Sequence, residues 1–192
     1  LKGDGSTKYL NSNRANNADG RDDQHMSVYA TEANTEDPAV MMGSGPSSVT
    51  GECQITNGSP VSATDLVVFS RLNGTTLGDL DLLPGARNST GYQGISRSSG
   101  ASYAARALQS TVVFTRASST PTSNNICVFD RGPAGGAAPC DARLAFYSIG
   151  SSPGPDPATG LAVLDTLVSR LLSDFRSIDE DGMDRDALAY IR

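Results

Sequence analysis

The chain has 192 residues, of which 38% are apolar, and 21 acidic against 15 basic side chains give it a net charge of −6. This length fits one domain with an appendage, and no uninterrupted apolar stretch reaches the roughly 20 residues that a membrane-spanning helix needs. The acidic balance, without a Lys or Arg cluster, argues against a nucleic-acid surface, which must neutralise phosphates. A single histidine, His25, excludes a His-rich zinc site and makes histidine-based catalysis improbable. We therefore expect a soluble, non-enzymatic globular protein.

The chain opens on Leu1, without a charged and then apolar leader, so we expect a processed piece or the ordered part of a longer protein. Cys53, Cys127 and Cys140 have no CxxC spacing, which predicts isolated structural thiols. Cys127 and Cys140 flank a Gly/Pro-rich loop at 131–139. A disulfide between these two cysteines, in an oxidising compartment, is the alternative.

Short apolar runs rich in Val, Thr and Tyr alternate with Gly, Asn, Ser and Pro clusters, a pattern typical of strands on half-buried sheets. The predicted strands are 8–11, 26–31, 39–43, 48–55, 66–72, 103–108, 111–117, 126–130 and 143–149. Their number and spacing predict a mainly β domain over 1–152, a two-sheet antiparallel sandwich or jelly roll. The stretch 77–83 fits either a strand or a loop, whereas 85–100 is predicted to be a displayed loop.

Beyond Ser151 the pattern changes to that of a helix that follows a Pro-rich link. Apolar residues recur three or four positions apart, at Leu161, Leu164, Leu167, Val168, Leu171, Leu172 and Phe175. This spacing predicts one helix with a single apolar stripe, which starts near Pro157. A loop at 177–182 and a short second helix at 184–191 are predicted to follow. Residues 153–192 therefore form a helical attachment segment, and its stripe predicts assembly with further copies or with neighbouring proteins.

Two acidic stretches raise the question of a bound cation. With Gly182 at the sixth position of a calcium-binding loop, Leu188 falls at the twelfth, where a glutamate is required. We therefore interpret 179–184 as a solvated linker. The oxygen-rich stretch 16–23 is predicted to be an exposed loop, with a cation-binding loop as the alternative. We expect no cofactor; Ca²⁺ is the alternative, without a clear motif.

Catalytic motifs are missing from the sequence, and the candidate ligand contacts are aromatic. Neither a nucleophile elbow nor a phosphate loop nor a paired-acid motif occurs, so an enzyme would depend on His25, Tyr103 and Arg106. Tyrosine rings can form platforms for sugars, and the candidates are Tyr9, Tyr29, Tyr92, Tyr103 and Tyr147. Only Tyr92 lies in the displayed loop, so Tyr92, with its neighbours Asn88 and Arg97, is the predicted ligand contact.

Three stretches of the sequence together resemble a known family. Residues 1–12, LKGDGSTKYLNS, are similar to the opening strand of concanavalin A-like, laminin-G-type jelly rolls. Residues 110–116 and 126–132 resemble the paired late strands of that fold. Residues 144–150 with 161–172 resemble the closing strand and helix of such domains in structural proteins of tailed bacteriophages, particularly cyanophages and marine phages. The resemblance covers most of the chain.

The resemblance implies a jelly roll on a virion surface that binds or decorates rather than catalyses. It implies a host-adsorption module of a tail fibre that binds a cell-surface glycan, with capsid decoration as the alternative. A polysaccharide-degrading enzyme and a secreted lectin-like domain are further alternatives. The expected partners are other virion proteins, further copies of the chain and the glycan, but neither nucleic acid nor a membrane. The family's calcium-binding aspartates have no clear counterparts in this sequence.

Overall fold

The computed structural model describes residues 1–45, 50–59, 62–71, 81–132 and 138–180. Within these residues the chain forms two antiparallel β-sheets and a C-terminal helix, α1 (Pro157–Glu180). The six-stranded sheet has the order β1 (Leu10–Ala15), β10 (Asn125–Val128), β3 (Ala39–Gly43), β4 (Cys53–Ser59), β5 (Ser62–Ser70) and β6 (Asp81–Leu83). The five-stranded sheet has the order β11 (Arg143–Gly150), β2 (Gln24–Glu32), β7 (Gly91–Arg97), β8 (Ser102–Ala107) and β9 (Ser110–Thr115).

The apolar core lies between the two sheets and follows from the two-residue period of the strands. In β2, Met26, Val28 and Ala30 are buried in this core, so the intervening Ser27 and Tyr29 point to the outer face. Polar side chains also join the sheets across the core. The Arg97 guanidinium donates from Nε (3.1 Å) and Nη2 (2.8 Å) to the Ser70 carbonyl of the opposite sheet. These bonds satisfy donors that burial removes from water.

Helix α1 packs on the outer face of β7, β8 and β9 in the five-stranded sheet. Asp156 caps it, since its Oδ1 accepts a hydrogen bond from the Ala158 N–H (3.1 Å), and Pro157 is the first helical residue. Leu161 is fully buried and packs with Tyr92 and Ala104 on the outer face of β7 and β8. The 24 residues of α1 extend over about 36 Å, longer than β7 at roughly 23 Å.

The mainly β prediction, with two antiparallel sheets and a C-terminal helix, is confirmed. Each of the nine predicted strands overlaps an observed strand, and 39–43 coincides with β3. The least accurate is 48–55, which overlaps β4 only from Cys53, because residues 50 and 51 form a turn. In the undecided stretch, residues 81–83 form β6, whereas 77–80 lie outside the described residues.

The displayed loop predicted at 85–100 is wrong, because residues 91–97 form β7, the central strand of the five-stranded sheet. The core covers one face of β7 and α1 covers the other, so the strand lacks the apolar/polar alternation by which half-buried strands are recognised. Gly94 accommodates the Tyr92 side chain, since a Cβ at position 94 would lie 2.8 Å from the Tyr92 hydroxyl. The sequence of this strand therefore predicts a loop, although residues 91–97 form a buried strand.

The end of α1 also differs from the prediction. The loop predicted at 177–182 is wrong over 177–180, because the helix continues to Glu180. The second helix predicted at 184–191 lies outside the described residues, as do residues 181–184 of the acidic stretch.

The three cysteines are free, and we predict that they are unreactive in the native protein. Burial raises the pKa of Cys127 to about 11 and that of Cys140 to about 12, and it also raises the pKa of the fully buried Cys53. The reactive thiolate is therefore scarce at pH 8. Titration with DTNB at pH 8 should show no rapid reaction in buffer and three thiols in non-reducing guanidinium chloride. One thiol in guanidinium would show instead that a disulfide forms.

Candidate functional site

Strand register places three aromatic side chains in a row on the outer face of the five-stranded sheet. Tyr29 of β2 lies opposite Phe146 of β11 on one side and opposite Tyr92 of β7 on the other. Residues opposite each other in antiparallel strands project to the same face, and neighbouring strands lie about 4.8 Å apart, so the row spans roughly 10 Å. Tyr92 is only 4% exposed, whereas Tyr29 and Phe146 are partly exposed. We call these three residues the aromatic row.

Tyr92 forms the buried end of the aromatic row. Its hydroxyl lies above Gly94, close to Ser27 of β2. Burial raises the pKa of Tyr92 to about 12, and the negative charge of Asp165 acts in the same direction. The phenol therefore stays uncharged at neutral pH, and the row begins in a neutral aromatic group.

An ion pair fixes α1 to the sheet beside this row. Arg106 of β8 donates from Nε to Asp165 Oδ2 (2.8 Å) and from Nη1 to Thr111 Oγ1 (2.9 Å). Ser169, one turn further along α1, donates from its hydroxyl to Asp165 Oδ1 (3.2 Å). The Arg106 and Asp165 side chains are only 13% and 10% exposed. Two opposite charges removed from water thus compensate each other at the contact between helix and sheet.

A cavity of about 240 Å³ opens where α1 meets the ends of β2, β7 and the β8–β9 turn. We call it the cleft. Its walls include Tyr29, Tyr92, Leu108, Gln109, Asp165 and Ser169. Leu108 and Gln109 form the two-residue turn between β8 and β9, both with positive φ (50° and 62°). The cleft thus combines aromatic rings with a carboxylate, an amide and a hydroxyl, the mixture by which a small site orients a polar ligand.

The structure separates the three predicted ligand contacts. The prediction that Tyr92 is freely displayed is wrong, although the ring does line the cleft. Arg97 is fully buried on the opposite face of β7, where it donates to backbone carbonyls. Its Cζ lies 5.3 Å from the centre of the Tyr103 ring. Asn88 is exposed, and its backbone N–H donates to Asn57 Oδ1 (3.1 Å). These three side chains therefore do not form one surface.

The residues on which an enzyme would have depended are also apart. Tyr103 is buried in the core, and its hydroxyl donates to Asp81 Oδ2 (2.7 Å), with the Val68 carbonyl 3.1 Å away. Arg106 projects from the opposite face of the same strand. The His25 ring lies near the link to α1, with Nδ1 2.5 Å from the Ser151 carbonyl and Nε2 3.1 Å from Ser148 Oγ.

The carboxylates of the 16–23 loop make contacts within the protein. Asp19 accepts a hydrogen bond from Arg14 (2.5 Å), and Asp23 accepts one from the Ser152 N–H (2.6 Å). Asp179 and Glu180 of the second acidic stretch belong to the last turn of α1. Within the described ranges, no group of three or more His, Cys, Asp or Glu side chains is arranged to hold a metal ion.

The sheet covers only part of the apolar stripe predicted for the helix. Leu161, Leu164 and Val168 lie toward the sheet, and Leu172 is partly buried. Leu167, Leu171 and Phe175 point to solvent together with Val163, which the prediction omitted. Their exposed fractions are 52% for Val163, 59% for Leu167, 49% for Leu171 and 60% for Phe175. We call these four residues the outer stripe.

The sequence offers Tyr29 as one candidate tyrosine among five, and it gives no sign that Phe146, Asp165 and Ser169 belong to the site. The alternation in 26–30 does show that Tyr29 projects to the face of its strand that points away from the core. Phe146 and Tyr92 lie beside Tyr29 only because strands far apart in the chain pair with each other, and no local pattern reveals that pairing.

Comparisons with known proteins give no relative: no protein-family model matches the chain, and no curated protein matches it in sequence. Among the residues that the structure describes, no helical segment has the length and apolarity that a membrane span requires.

We predict that Asp165→Asn destabilises the protein by roughly 3–5 kcal/mol, because it leaves the Arg106 guanidinium buried without its counter-charge. Urea unfolding, followed by circular dichroism, measures the difference. Glu32→Gln is the matched control, since Glu32 pairs with Lys2 (2.9 Å) and Arg143 (2.7 Å) at a site where all three side chains are about half exposed. Water screens these exposed ion pairs, so their loss should leave the midpoint of urea unfolding nearly unchanged. Equal effects of the two substitutions would contradict the anchoring role of Asp165.

Proposed function

We propose that the chain is a non-enzymatic jelly-roll module of a virion surface, which assembles through α1 and binds a host cell-surface glycan. The two antiparallel sheets and the resemblance of 1–12, 110–116 and 126–132 support a sandwich of the concanavalin A-like type. The resemblance of 144–150 with 161–172 to the closing strand and helix of phage structural proteins supports the virion. Function does not follow from a fold alone, so the proposal depends on particular surfaces.

The outer stripe is the observation that carries the assembly role. Its four large side chains are about half exposed or more, at a constant spacing of four residues. They therefore form a continuous ridge of about 18 Å on a helix whose other face already packs on the sheet. A contiguous exposed apolar ridge of this kind marks an interaction surface.

The occupant that we propose for the outer stripe is a second copy of the chain. The stripe is symmetric about Ser169, because 163 and 175 are equally distant from 169, and so are 167 and 171. A two-fold axis that crosses the stripe midway between Leu167 and Leu171 would set Leu167 of one copy against Leu171 of the other, and the small Val163 against the large Phe175. Ridges of this four-residue spacing interdigitate when two helices cross at about −50°.

Charge and buried area are consistent with a weak dimer. The exposed charged residues between 163 and 175 are Arg170 and Asp174, of opposite sign, so two copies do not repel each other along this face. Burial of eight half-exposed apolar side chains contributes roughly 8 kcal/mol, and an association cost of about 4 kcal/mol or more offsets much of it. We therefore expect a weak dimer, populated at hundreds of micromolar and dissociated on dilution.

We predict that Leu167→Asp and Leu171→Asp abolish dimerisation without unfolding the domain, because each places a charge in the apolar contact. Sedimentation velocity between about 1 and 200 μM should show a concentration-dependent dimer for the wild type and a monomer for both variants. Thr166→Asp and Ser173→Asp are the matched controls, exposed positions of α1 outside the stripe. A wild type that stays monomeric at 200 μM would overturn the second copy as the occupant. Substitutions at Leu164 or Val168 would not test it, since these side chains lie toward the sheet.

The virion assignment predicts that antibodies against the folded chain label intact particles from its source. Negative-stain imaging with gold-labelled antibody should place the label at the tail tip if the module adsorbs to the host. Label spread over the capsid would replace adsorption by capsid decoration. An absence of label, with the chain also missing from purified particles by mass spectrometry, would overturn the virion assignment.

A further inference from the structure

We infer that the aromatic row and the cleft form a binding site for an uncharged oligosaccharide. This inference rests on the glycan-binding part of the proposed function and assigns it to particular side chains. One sugar ring would occupy the cleft beside Tyr29 and Asp165, and the next would lie over Phe146 on β11.

The geometry of the row suits linked rings better than a single small molecule. Its three side chains come from adjacent strands at a spacing of about 4.8 Å, so the row spans roughly 10 Å, about the length of two linked sugars. Exposure increases from the nearly buried Tyr92 to the partly exposed Tyr29 and Phe146. A ligand could therefore enter the cleft with one end and continue across β2 toward β11.

The polar groups of the cleft suit hydroxyl groups. Each Asp165 oxygen accepts one hydrogen bond, from Arg106 or from Ser169, and each retains a lone pair for a further donor. The Gln109 amide beside it offers both a donor and an acceptor. Sugars present apolar C–H faces to aromatic rings and hydroxyl groups at their edges, so a sugar satisfies both kinds of wall.

Charge argues against anionic ligands at this site. The charged residue of the cleft wall is Asp165, and Arg106 compensates it at 2.8 Å. Nucleic acids and sialylated or sulfated glycans need positive charge to balance their own, and neither this site nor the chain, with a net charge of −6, supplies it. Among glycans, the site therefore favours uncharged oligosaccharides.

The site stays accessible when α1 is paired with a second copy. Ser169 lies in the cleft wall, whereas Leu167 and Leu171 of the outer stripe are each two residues away. Two residues correspond to about 200° around a helix, so the stripe and the cleft lie on nearly opposite sides of α1. Assembly and glycan binding can therefore be tested separately.

The experiment uses an array of uncharged, sialylated and sulfated oligosaccharides, followed by calorimetry with the strongest uncharged compound. We expect the wild type to bind uncharged glycans, and Tyr29→Ala and Phe146→Ala to weaken binding at least tenfold by removal of the stacking surface. Tyr29→Phe keeps the ring and should bind within about threefold of the wild type. Because the chain has no Trp, tyrosine fluorescence provides a second measurement of ligand contact.

Controls separate a local effect from misfolding. Tyr9→Ala is the matched control, since Tyr9 is an exposed tyrosine outside the row, and it should bind as the wild type does. Phe146→Leu tests the row with less loss of volume and should also weaken binding. No binding to any uncharged glycan, binding restricted to charged glycans, or full binding by folded Tyr29→Ala and Phe146→Leu would each overturn the inference.

Leu167→Asp distinguishes a failure of the glycan-binding inference from a failure of the assembly proposal. If that monomeric variant keeps the wild-type affinity for the glycan, the binding site stands independently of assembly. If the wild type dimerises as expected but binds no uncharged glycan, the assembly role stands and the assigned binding site falls.

Discussion

The contact between Arg106 and Asp165 determines how the outer face of the five-stranded sheet is used. A sheet that projects Tyr29, Tyr92 and Arg106 to its outer face needs a partner that covers apolar rings and also neutralises a charge. Helix α1 supplies both, with Leu161 and Val168 on its inner face and Asp165 between them. Because a carboxylate must meet the guanidinium in a low-dielectric contact, the rotation of the helix about its own axis is fixed.

Once that rotation is fixed, the remaining surfaces of α1 follow from helix geometry. Asp165 and Ser169 contribute to the wall of the cleft, and the residues about half a turn away form the outer stripe. A single helix therefore separates a polar, aromatic recess from an apolar ridge. In the proposed function, the same element provides a place for a ligand and a place for a neighbouring molecule.

The sequence predicted the fold class well because its strands show the two-residue period wherever one face of a sheet is open. The strand prediction failed at β7, because both faces of this strand are covered. At Gly94 the absence of a side chain leaves space for the Tyr92 ring. For the helix, periodicity gave the apolar residues but not which of them the sheet covers. The aromatic row was beyond local patterns, because Tyr29, Tyr92 and Phe146 meet only through long-range pairing.

The turn at Leu108 and Gln109 bears on the order in which the molecule folds. Two-residue turns of this kind favour Asn and Gly, because both central residues adopt positive φ, and neither Leu nor Gln prefers that conformation in an isolated peptide. The β8–β9 hairpin is therefore a poor starting point for folding, and its turn conformation depends on the packed sheet and helix around it. The rim of the cleft should accordingly take its final shape late, when the distant ends of the chain have already come together.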